Sequence, residues 1–144
     1  MRFLAALIAG IVASGLGACA PAEQVIVDKP SIEMPRTPAG VGVAYFSIKT
    51  SQHDRIVGVS SPSARAVEMH KSVIEGGMAK MQRQETVELP AHKRVAFEQG
   101  GLHLMVFDPL PIAAGTTFPI TIELESGQKK QVNFLPAGSA TDRH

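Results

Sequence analysis

The sequence predicts an all-β fold, an antiparallel Greek-key sandwich or barrel. Three observations point there. Short runs rich in β-branched and aromatic residues recur along the chain, and turn-forming clusters separate them. No window of about a dozen residues carries a convincing 3.6-residue apolar period. With 144 residues, 44% of them hydrophobic, the chain suits a single domain with one core.

The first segment stands apart from that domain. In MRFLAALIAGIVASGLGAC, Arg2 precedes an apolar run from Phe3 to about Val12, and small residues follow. That order is the mark of a secretory signal, expected to span residues 1–18. The run is too short and too rich in Gly and Ala for a membrane-spanning helix, which needs roughly 20 apolar residues. Leu16-Gly17-Ala18-Cys19 resembles the lipobox of bacterial lipoproteins, which implies cleavage before Cys19 and a lipid on its thiol. Ala20 is not the Asp of an inner-membrane retention signal, so the expected location is the periplasm, anchored to the outer membrane.

Residues 19–40 contain Pro21, Pro30, Pro35 and Pro38 and read as a tether and an extended first strand. The body of the domain is expected over 41–136. Strands are predicted at 41–49, 55–59, 65–73, 78–84, 86–89, 94–97, 102–107, 117–124 and 130–135. Between them lie turn signals such as Glu75-Gly76-Gly77, Gly100-Gly101 and Ser126-Gly127. The tail, 137–144, has no hydrophobic pattern and is expected to be disordered.

Composition excludes several functions. Fourteen Lys and Arg against 13 Asp and Glu leave a charge of +1, with no basic cluster to hold a nucleic-acid backbone. A single Cys excludes an internal disulfide framework and a Cys-rich zinc or iron–sulfur site. There is no Ser-His-Asp constellation, no phosphate loop and no carboxylate pair near the residues singled out below. The expected protein is not an enzyme.

The unusual equipment is five His and six Met. His53 and His92 lie in polar turns and are expected at the surface. In Leu102-His103-Leu104-Met105-Val106-Phe107, strand alternation gathers the Leu and Val side chains on one face and His103 and Met105 on the other. Alternation likewise sends His70 to the face of Glu68 and Met69 toward the core. Met78 and Met81 fall on opposite faces of their strand, so at most one shares a side with His70. Alternation does not say which.

His70, ten residues, Met81, twenty-one residues, then His103-Leu104-Met105 fits H-x10-M-x21-H-x-M. The spacing resembles the signature of the PCuAC family of periplasmic copper chaperones. So do Ala44-Tyr45-Phe46, the stretch Asp54–Pro62, Gly76-Gly77-Met78-Ala79-Lys80-Met81 and Gly100-Gly101-Leu102-His103-Leu104-Met105. The resemblance spans roughly residues 25–136. It implies a cupredoxin-like β fold that binds Cu(I) through His70, Met81, His103 and Met105. It also implies delivery to an acceptor, typically the CuA centre of cytochrome c oxidase or its assembly factor. Two departures concern accessory thioethers. Lys71-Ser72-Val73 follows His70 where relatives often carry Met, and Ala79 replaces a Met two residues before the second ligand, leaving Met78 one position earlier. Glu68 is a candidate to orient the His70 ring. A storage or scavenging protein, or a purely structural lipoprotein, is the competing reading.

The donor types suit the ion. Thioether sulfur is soft and neutral, favouring Cu(I) over zinc, calcium or magnesium. A set of two His and two Met holds no anionic donor, which favours a monovalent ion. Met also remains a ligand in an oxidising compartment, where paired thiols would become disulfides. The absence of a Cys thiolate excludes a blue-copper electron-transfer site.

Overall fold

A computed structural model describes Gly17 and residues 23–138. Ten strands follow one another: β1 Val25–Glu33, β2 Val41–Thr50, β3 Asp54–Ser60, β4 Ala66–Glu75, β5 Met78–Gln84, β6 Val87–Leu89, β7 Arg94–Phe97, β8 Leu102–Phe107, β9 Phe118–Leu124 and β10 Lys129–Pro136. No helix appears among the described residues, and so none long and apolar enough to cross a membrane. Each strand expected from residue 41 onward is present with bounds that agree within a residue or two.

The strands form one sheet in the order β5-β4-β8-β7-β2-β1-β10-β9-β3-β6, with a further β2–β8 pairing. The sheet folds over on itself between β1 and β10, so its two halves face each other around the core. Alternation builds that core: β9 reads buried at Phe118, Ile120, Ile122 and Leu124, with half-buried residues between. Phe46 stacks on Phe97 at 4.4 Å between ring centroids and meets Phe134 edge-on at 5.7 Å. Because Phe46 and Phe97 lie on one half and Phe134 on the other, these rings join the two layers.

One feature differs from the expectation. The sheet is mixed, not wholly antiparallel: β1 runs parallel to β10, and β7 parallel to β8. Strand directions in a long-range pairing are set by how the chain returns, which local patterning does not encode. Within the Pro-containing segment, residues 25–33 form the first strand, between β2 and β10. Its pairing with β2 is interrupted between Asp28 and Ser31 by a bulge in which Lys29 takes a positive φ of 50°. Pro30, which has no N–H to give a ladder, falls within that bulge. At the other end, Ala137 and Gly138 form a turn, with the Ala137 N–H donating to the Ile32 carbonyl at 2.7 Å. Cys19, the expected signal and residues 139–144 lie outside the described residues.

Candidate metal centre

Pairing of β4 with β8 sets His70 directly opposite His103, and Glu68 opposite Met105. Pairing of β4 with β5 sets Ser72 opposite Met81 and His70 opposite Arg83. Alternate residues of a strand share a face, so His70, Met81, His103 and Met105 all lie on one side of the sheet. The opposite side carries Val67, Met69, Leu104 and Val106 into the core. The four residues therefore occupy the outer face of the sheet.

The β4–β5 turn decides which Met joins them. Glu75 pairs with Met78, leaving Gly76 and Gly77 as a two-residue loop with φ of 58° and 76°. Such a turn needs positive φ at both positions, which Gly supplies without steric cost. Counting from it, Met81 falls on the His70 face and Met78 on the other. A slip of one residue would exchange them.

Each imidazole is oriented by one acceptor. His103 is buried, at 4% exposure. Its Nδ1–H donates to the Gly101 carbonyl at 3.0 Å, while Nε2 is buried and has no partner. His70 donates its Nε2–H to the Glu68 carboxylate at 2.9 Å, and its Nδ1 is likewise buried and unpartnered. A carbonyl and a carboxylate only accept, so in each neutral ring the other nitrogen holds a free lone pair. The ring centroids stand 6.1 Å apart. With metal–nitrogen bonds of roughly 2 Å, a separation of that size suits one ion held between the rings. Glu68 also meets Arg83 at 3.4 Å, so a guanidinium, a carboxylate and an imidazole form a chain beside the site.

The thioethers differ in access. Met105 is half-buried on β8, whereas Met81 is 63% exposed on the edge strand β5. Among the described residues, no group of three or more His, Cys, Asp or Glu side chains is arranged to hold a metal ion. His53 is at the surface, with its Nε2 3.0 Å from Glu88, and His92 is an exposed turn residue. Arg83 and the Gly101 carbonyl were not singled out from sequence. The alternation that links Arg83 to Met81 and Glu68 requires the β4–β5 register first.

The all-β fold is the one that PCuAC domains of known structure share. The chain belongs to the LpqE-like family of lipoproteins, whose model matches residues 25–136. Its fold is similar to a copper-bound PCuAC domain from PmoF2, with a TM-score of 0.63 at 20% identity over 78% of this chain and 91% of that one. It is also similar to the solution structure of apo-DR1885 from Deinococcus radiodurans, with a TM-score of 0.58 at 22% identity, covering 94% and 93%. The Cu(I) form of DR1885 matches with a TM-score of 0.57 at 22% identity, covering 88% and 85%. A comparison with curated protein sequences finds no match.

Proposed function

We propose that this protein is a Cu(I) chaperone of the cell envelope and that His70, Met81, His103 and Met105 hold the ion. The observation that carries this reading is the pair of buried, unpartnered nitrogens on adjacent imidazoles, His70 Nδ1 and His103 Nε2. A buried acceptor without a donor costs free energy unless something else uses its lone pair, and a metal ion does so. The two thioethers on the same face select the soft monovalent ion. That proteins of this fold include copper-bound and Cu(I)-bound forms supports the choice of metal.

The graded burial of the donors fits transfer. Met81 is the most open of the four and leaves first when an acceptor offers its own ligand, with the deeper His103 last. The acceptor is the CuA centre of cytochrome c oxidase or a factor that assembles it. Copper is cargo here, and the protein is not an enzyme. Lipidation at Cys19 holds the domain at the outer membrane, facing the periplasm.

The test is a double substitution, Met81→Leu with Met105→Leu. Leu nearly matches Met in size and apolarity, so the exchange costs less than about 1.5 kcal/mol even where packing is close. Competition against a Cu(I) chelator should show affinity falling by orders of magnitude, while weaker Cu(II) binding through the two His survives. Thermal melting controls for folding. A Cu(I) affinity within a few-fold of the parent would remove the site, and the chaperone reading with it.

A further inference from the structure

Away from the His–Met face, one end of the molecule opens into a groove of about 870 Å³. Its walls are the connection from β1 to β2, the connection from β8 to β9, and the last residues of β10. Five prolines line it: Pro35, Pro38, Pro109, Pro111 and Pro136. Proline fixes its own φ and carries no N–H, so such a wall is stiff and presents few donors that need a partner. Leu110 and Leu135, 59% and 51% exposed, also contribute to the lining. Size and apolar character are those of a small-molecule site.

The groove is built rather than incidental. The Asp108 N–H donates to the Gly40 carbonyl at 3.0 Å, tying the two connections together, and the Leu110 N–H donates to the Ser63 carbonyl at 2.8 Å. A Cβ on Gly40 would fall 2.5 Å from the Cβ of Pro35, so this proline sits directly on the glycine. Ala39 and Asp108, both in the lining, hold φ of 59° and 48°. Left-handed backbone at residues other than Gly costs free energy and persists only where the surroundings impose it. Two such residues meeting across one groove mark walls held in place before any ligand arrives.

Charge gives the ligand its polarity. The Asp108 carboxylate is paired with the Arg65 guanidinium. Arg36, also in the lining, has no acidic partner among the described residues. We propose that the groove binds a single-tailed anionic amphiphile, a long-chain carboxylate. Its hydrocarbon lies along the prolines between Leu110 and Leu135, and its head group meets Arg36.

The test uses the full chain carrying Cys19→Ala, titrated with laurate and with 1-dodecanol below their aggregation limits. Laurate should bind one per chain. Arg36→Ala should weaken laurate about tenfold, the loss expected for one charge-assisted hydrogen bond, and leave dodecanol unchanged. Leu110→Glu should weaken both ligands, and Cu(I) affinity should stay at the parent value in both variants. Melting temperatures confirm that the exposed substitutions leave the fold intact. Absence of laurate binding, laurate binding unaffected by Leu110→Glu, or laurate binding unaffected by Arg36→Ala would each overturn the proposal. So would a chain that ignores laurate yet sediments with anionic lipid vesicles, which would make this end a membrane-docking face.

Discussion

Glu68 illustrates what a single side chain contributes to the candidate site. Its carboxylate accepts from His70 Nε2, which fixes the ring orientation and leaves Nδ1 as the donor atom. A carboxylate behind a ligating imidazole also raises its basicity, and losing such a partner typically costs 10–100-fold in metal affinity. Glu68→Ala should therefore weaken Cu(I) binding by that factor, with Glu68→Gln recovering part of it, in the same chelator competition. At this scale the sequence was partly readable. Spacing and alternation grouped His103 with Met105 and His70 with Glu68, because both relations are local to one strand. Met81 needed the Gly76-Gly77 loop to be counted as a two-residue turn. Arg83 needed that register as well. The Gly101 carbonyl is a main-chain acceptor, and no residue identity announces it.

Among the elements, β1 is the one whose partners the sequence left unnamed. Its prolines signalled extension, but the partners on both sides are distant in the chain and local signals cannot name them. The start of β1 is fastened through side chains as well. Glu23, just before it, faces Asp54 at the start of β3, with Ser126 from the β9–β10 turn between them. Burial, the hydrogen bond to Asp54 and the Asp54 charge push the Glu23 carboxyl above its ordinary 4.5. Burial alone would raise Asp54 too. Hydrogen bonds from Ser126, Glu23 and the Arg55 N–H outweigh it and hold that carboxyl below its ordinary 3.8. The raised Glu23 contributes stability below about 4.5 and loses it as pH rises through its folded value. The lowered Asp54 contributes above 3.8 and loses it as pH falls through its own. The fastening is therefore strongest near pH 4, with one proton shared, and becomes a like-charge contact at neutrality. Glu23→Gln mimics the protonated form. It should raise the melting temperature at pH 7 and make little difference at pH 4.

At the scale of the whole molecule, the strand content was legible and the wiring was not. Alternation and turn residues are local, and they located nine strands. Parallel pairings of β1 with β10 and β7 with β8 depend on the path of the entire chain. Phe134 on β10 sits where the two halves meet, fully buried against Phe46. Phe134→Ala should cost about 3–5 kcal/mol in denaturant unfolding, as large-to-small changes of aromatic core residues do. The pairing of β1 with β10 has a further consequence, for the order of events in synthesis. Ser31 lies against Leu135 and Ile32 against Pro136, so the first strand made takes its second partner from the last. Hairpins between neighbours form as they emerge, but closing a loop of this length comes late and slowly. The two halves cannot lock until residue 136 is free. A chain still threading through a pore or leaving a ribosome thus stays unlatched, and its completion is timed by its own C-terminal strand.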